Sequence, residues 1–120
     1  MKKILIVEDG QKWSVQYQQD LGGYEVSLII AERADEARRQ FEVNPDVAAI
    51  VMDGCLFSEA PNTLELVKEF RVKGYTGPII ANSSDYNKEL QEAGCDHTCK
   101  YDSKGFIPDQ LIQLLDLKHK

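Results

Sequence analysis

The sequence has no long apolar run. Its hydrophobic stretches are short and interrupted, far from the roughly 20 residues that cross a bilayer, and the few apolar residues after Met1-Lys2-Lys3 are too few for a secretory signal. A soluble, cytoplasmic protein with no membrane attachment is expected. Cysteines are scarce: Cys55, Cys95 and Cys99 make an odd count of 3 with no even framework of the secreted kind, which predicts free thiols in a reducing compartment. Clustered positive charge is also missing. Lys and Arg number 14 against 20 Asp and Glu, for a net charge of -6, and RVK and KHK are short and isolated, which argues against a nucleic-acid surface. There is no internal repeat and no low-complexity tract. What remains is an acidic chain of 120 residues, long enough for one hydrophobic core and too short for two, read as a single domain over residues 1–120.

Apolar, β-prone segments recur at Ile4 to Val7, Val26 to Ile30, Val47 to Met52, Pro78 to Ala81 and, more weakly, His97 to Cys99. Between them lie stretches with helical spacing. One carries Trp13, Tyr17 and Leu21; a second carries Ala34, Ala37, Arg38 and Phe41; a third carries Leu64, Val67, Phe70 and Arg71. A short polar fourth runs from Tyr86 to Ala93. The last starts near Pro108, a residue suited to a first helical turn, and sets Leu111, Leu114, Leu115 and Lys118 along one side. Breakers separate these segments at Gly22-Gly23, Asn44-Pro45-Asp46, Gly74, Gly77-Pro78 and Gly94. Strands alternating with helices imply a parallel sheet with right-handed crossovers and helices on both faces. The run AAIVM, apolar without alternation, suits a strand buried on both sides. The fold class is α/β, doubly wound.

Such sheets bind ligands beyond the carboxyl ends of their strands. The residues found there are Glu8 and Asp9 after the first strand, Asp53 after the third, Ser83 and Ser84 after the fourth, and Lys100 after the fifth. If the first and third strands are neighbours, three carboxylates meet at one rim. Their repulsion is relieved by a hard divalent cation, and magnesium takes oxygen ligands of this kind.

ILIVED, VMDG, IIANSS and the late Lys100 together resemble the signature of the response-regulator receiver domain of two-component signalling, over essentially the whole chain. The resemblance implies a flavodoxin-like sheet of five parallel strands in the order 2-1-3-4-5 with five helices. It further implies that Glu8, Asp9, Asp53 and the backbone carbonyl of Cys55 hold Mg2+. Asp53 would accept a phosphoryl group from a histidine kinase or a histidine phosphotransfer protein, with Ser83 and Lys100 contacting that group. Ser83 and His97 would relay the change to the face formed by the fourth helix, fifth strand and fifth helix, where a downstream protein binds. The implied activity is a self-catalysed phosphotransfer with slow autodephosphorylation, in a phosphorelay or two-component system, by a monomer or weak dimer. A carboxylate can attack phosphorus when a metal and a lysine neutralise the transferring group.

Several positions depart from the family pattern. Phe57 stands where a proline is usual, the GCLFSEAPNT segment is about two residues longer than usual, and Tyr101 replaces the proline after the lysine. Asn82 occupies a strand position that is normally apolar, and His97 replaces a Tyr or Phe. A second reading is therefore a degenerate receiver that binds a partner without phosphorylation. A phosphatase of the haloacid dehalogenase type is disfavoured, since the second acid it needs two residues after the nucleophile is Cys55 here. The C-x3-C spacing of Cys95 and Cys99 around His97, with no second pair, argues against zinc. Asp9 and the serines Ser83 and Ser84 are also candidate helix caps, Ser84 most purely so. Trp13 reads as core or rim.

Overall fold

The structure, a computed structural model, describes residues 1–99 and 107–120. Five strands, β1 (Lys2–Val7), β2 (Val26–Ala31), β3 (Ala49–Met52), β4 (Ile79–Ala81) and β5 (His97–Thr98), form one parallel sheet in the order β2-β1-β3-β4-β5. Among the described residues five helices connect or follow them: α1 (Gln11–Leu21), α2 (Ala34–Val43), α3 (Leu64–Val72), α4 (Asn87–Ala93) and α5 (Pro108–Leu115). The expected order and the five helices are both found. All four residues of β3 are buried, as its unbroken apolar sequence requires of a central strand covered on both sides.

Alternation along the strands divides the core in two. Leu5, Val7, Ile50, Met52, Ile79 and Ala81 face α2, α3 and α4, whose Phe41, Val67, Phe70 and Leu90 close over them. Ile4, Ile6, Ala49, Val51 and Ile80 face α1 and α5, through Tyr17, Leu21, Leu111 and Leu115. Among the described residues no helix is long and apolar enough to cross a membrane.

The last helix is shorter than its spacing predicts. Asp116 takes a left-handed conformation (φ 51°) and ends α5, so Lys118 lies beyond it, and Leu114 is exposed while Leu111 and Leu115 are buried. The reason is tertiary. Leu117 folds back into the core with its N–H on the Ile112 carbonyl, Glu25 donates to the Lys118 carbonyl, and His119 stacks on Tyr24 at 4.3 Å.

Candidate acidic site at the carboxyl edge of the sheet

The register that joins β1 to β3 ends by pairing Val7 with Met52. The next step of the ladder places the Asp53 N–H on the Val7 carbonyl at 3.0 Å, and on the other side the Glu8 N–H on the Ala31 carbonyl at 2.9 Å. Two acidic residues are thus fixed at adjacent strand ends by backbone alone. Glu8 is 2% exposed and Asp53 6%, and their carboxylates come together with that of the half-buried Asp9. One oxygen from each lies within 4.8 Å of the others. Each such pair, if ionised, repels by on the order of 3 kcal/mol at the effective dielectric of a partly buried site. This is why ILIVED ends in two carboxylates: the strand supplies the burial, and the pair supplies charge where a second strand brings a third.

Asp9 does not cap α1. The residue ahead of that helix is Gly10, without a side-chain cap, and its N–H donates to Glu8 Oε2 at 3.0 Å. Asp9 Oδ2 instead accepts the backbone N–H of Phe57 at 2.7 Å. Burial pushes the Asp9 carboxyl up, but the Phe57 N–H and hydrogen bonds from the Glu8 and Asp53 carboxyls outweigh it and hold Asp9 below its ordinary value.

The long β3–α3 segment is braced from within. Asn62 spans it with both ends of its amide, accepting from Leu56 N–H and donating to the Leu56 carbonyl, each at 2.8 Å. The Thr63 hydroxyl donates to the Asp53 carbonyl at 2.6 Å, so the backbone carrying Asp53 is tied to the start of α3. Phe57 sits at the tip with φ 52°, largely exposed, with the Arg33 guanidinium 4.9 Å from its ring centroid.

Ser83 follows β4 and is buried. A Cβ on Gly54 would lie 2.7 Å from its hydroxyl, so only glycine after Asp53 permits this approach. Ser83, Ser84, Asp9, Asp53 and Cys55 line one pocket of about 410 Å3, which Tyr86 borders while donating its hydroxyl to the Glu59 carbonyl at 3.3 Å. Ser84 is exposed, and the residue ahead of α4 is Tyr86, with no side-chain cap, so the capping role expected of Ser84 is not found. The Ser83 hydroxyl does accept the Tyr86 N–H, at 3.4 Å.

The polar Asn82 at an apolar strand position has a partner: its amide donates to the Tyr17 hydroxyl at 2.9 Å, both residues being buried. Burial pushes that hydroxyl far above its ordinary range, so it stays protonated. His97 lies on β5 beside Ile80, away from the acidic pocket, with Asp96 3.9 Å from its Nε2. Lys100, the expected partner of the phosphoryl group, and Tyr101 after it lie outside the described residues. Zinc at Cys95 and Cys99 is ruled out by geometry, because Cys95 packs with α2–α4 and Cys99 with α1 and α5.

The spacing of the sequence did not point to Phe57 N–H, Asn62, Thr63 or Tyr17, whose roles arise from backbone contacts or from distant pairing. Only Asn82 gave a signal, as a polar residue in an apolar strand.

No family model matches the chain, and no curated protein does. Solved structures do. A two-component response regulator from Clostridium difficile superposes with a TM-score of 0.80 at 19% identity, covering 97% of this chain and 93% of that one. The receiver domain of a Francisella response regulator gives 0.77 at 22%, covering 97% and 94%. The Vibrio cholerae chemotaxis protein CheY4 gives 0.77 at 20%, covering 97% of both chains. The chain has the fold of response-regulator receiver domains.

Proposed function

We propose that the chain is a phospho-accepting signalling switch in which Asp53 receives a phosphoryl group from a phosphohistidine of a kinase or phosphotransfer protein. The observation that carries this reading is the convergence of Glu8, Asp9 and a nearly buried Asp53 with Ser83 at one pocket. In the transfer an Asp53 carboxylate oxygen forms the new bond to phosphorus, while the bond from phosphorus to the donor imidazole breaks and its electron pair stays on that nitrogen.

The residues fit Mg2+: three carboxylates with oxygens within 4.8 Å, and no soft donor except the Cys55 thiol nearby. Glu8, Asp9, Asp53 and the Cys55 carbonyl would hold the ion, which when bound neutralises the charge gathered on the transferring group. This chain's own residues orient the nucleophile. The Val7 carbonyl and the Thr63 hydroxyl fix the Asp53 backbone from two sides, and the Ser83 hydroxyl stands ready to donate to the new phosphate. Lys100 would supply the cation on the other side. The response would pass through Ser83 and His97 to α4, β5 and α5. Among the described residues Glu89 Oε2 on α4 and Gln110 Oε1 on α5 are buried without hydrogen-bond partners, which suits elements whose packing changes between two states.

Acetyl phosphate with magnesium should add the mass of one phosphoryl group, and Asp53→Asn should abolish the addition. Trp13 reports the metal independently, since its ring lies over Gly10, next to Glu8. A chain that takes up no phosphoryl group and shows no magnesium-dependent change in Trp13 fluorescence is instead the phosphorylation-independent binding module.

A further inference from the structure

The chain leaves β4 with Ala81, and the Asn82 N–H makes a last ladder bond to the Met52 carbonyl. Among the described residues no strand residue pairs with the main chain of Ser83. Asn87, the first residue of α4, takes both groups: the Ser83 N–H donates to Asn87 Oδ1 at 2.8 Å, and Asn87 Nδ2 donates to the Ser83 carbonyl at 3.0 Å. The same Nδ2 lies 3.3 Å from Cys99 Sγ, directly after β5. A carboxamide offers an acceptor and a two-proton donor on one rigid plane. Here that plane joins the end of β4, the start of α4 and the end of β5.

We infer that Asn87 is a positioning residue that makes Ser83, the first turn of α4 and the end of β5 one mechanical unit. The inference rests on the phospho-switch reading and specifies how that site is regulated. The Ser83 main chain is held at both N–H and carbonyl, while among the described residues its hydroxyl has the long 3.4 Å contact from Tyr86. The hydroxyl can therefore turn toward a phosphoryl group on Asp53, but any pull on the Ser83 backbone is delivered to α4 and Cys99. The Asn82 bond to Tyr17 anchors the preceding residue to α1, which directs the motion forward along the chain. Aspartate at position 87 would lose both donated contacts, and glutamine would carry the amide one methylene too far.

The test is the amide spectrum of the full chain on adding beryllium fluoride with magnesium, which mimics a phosphoryl group on Asp53. In the wild type the amides of Ser83, Lys88, Glu89 and Thr98 should all shift. In Asn87→Ala the Ser83 shift should persist and those of Lys88, Glu89 and Thr98 should vanish. Cys99→Ala, which cuts the branch to β5 and leaves both Asn87–Ser83 bonds in place, should silence Thr98 and leave Lys88 responding, and it decides the matter if Asn87→Ala fails to fold. Wild-type propagation in these variants overturns the inference and leaves the switch reading intact. If the wild-type Ser83 amide does not respond, the switch reading fails. The mechanical unit is then judged without ligand: Asn87→Ala must speed hydrogen exchange at Ser83 about tenfold relative to Ile80, as expected for loss of its two backbone bonds, and equal rates refute it.

Discussion

The backbone N–H of Phe57 donates to Asp9 Oδ2 at 2.7 Å across 48 positions of sequence. It links the tip of the β3–α3 segment, where Phe57 takes φ 52°, to the acidic site. The N–H matters and the ring does not reach the site. Phe57→Gly keeps the donor and suits the left-handed backbone, so urea unfolding should show a stability within about 1 kcal/mol of wild type. Phe57→Pro has no N–H and cannot adopt this φ, and it should lose about 1–3 kcal/mol.

At the proposed magnesium site the crowded carboxylates should set the response to metal. Removing one charge by Asp53→Asn should raise the stability of the metal-free protein by about 1–2 kcal/mol, because the relieved repulsion exceeds one lost hydrogen bond. Saturating magnesium should stabilise the wild type by about 2–3 kcal/mol at 100 times its dissociation constant and the variant much less. Thermal melts with and without EDTA measure the crossover; a wild type indifferent to magnesium would contradict it.

Arg71 ties three elements at the other end of the molecule. Its Nε donates to the Gly94 carbonyl at 3.0 Å, and its Nη1 donates to the carbonyls of Tyr75 and Gly77 at 3.0 and 2.8 Å. Arg71→Lys cannot reproduce this fork and should cost about 2–3 kcal/mol. Gly94 has φ 137°, and a Cβ there would lie 3.1 Å from Arg71 Cγ and 3.2 Å from Val67 Cγ1. Gly94→Ala should cost about 1–3 kcal/mol in the same denaturation assay.

Burial pushes the Cys95 thiol up from 9.0 to about 12, with Asp96 adding to the effect and Arg71 opposing it. A proton held more tightly in the folded state stabilises it fully below pH 9, and that contribution is lost as pH rises from 9 toward 12. Stability measured by denaturant should fall across this window, and Cys95→Ala should flatten the fall. Iodoacetamide followed by mass spectrometry should label the half-exposed Cys55 first, with Cys95 and Cys99 reacting only on unfolding.

The local pattern was sufficient to read the alternation of strands and helices, the α/β class and the acids at the strand ends, because burial imposes its period directly on residue type. Glu8, Asp9, Asp53 and Ser83 were legible for the same reason: each stands within two residues of the end of an apolar run. Element ends were less legible. Spacing alone carries α5 on to Lys118, whereas the burial of Leu117 and the stacking of His119 on Tyr24 end it at Leu115.

Residue types and their order along the chain thus determined which strands form and which side chains end them. Only the tertiary structure decided that Asp9 answers to Phe57, Asn82 to Tyr17, and Ser83 to Asn87 and through it to Cys99. Those pairings are hydrogen bonds to the backbone or between distant side chains. They depend on where loops close and on which neighbours a folded sheet brings within about 3 Å, and neither leaves a periodic trace in the sequence.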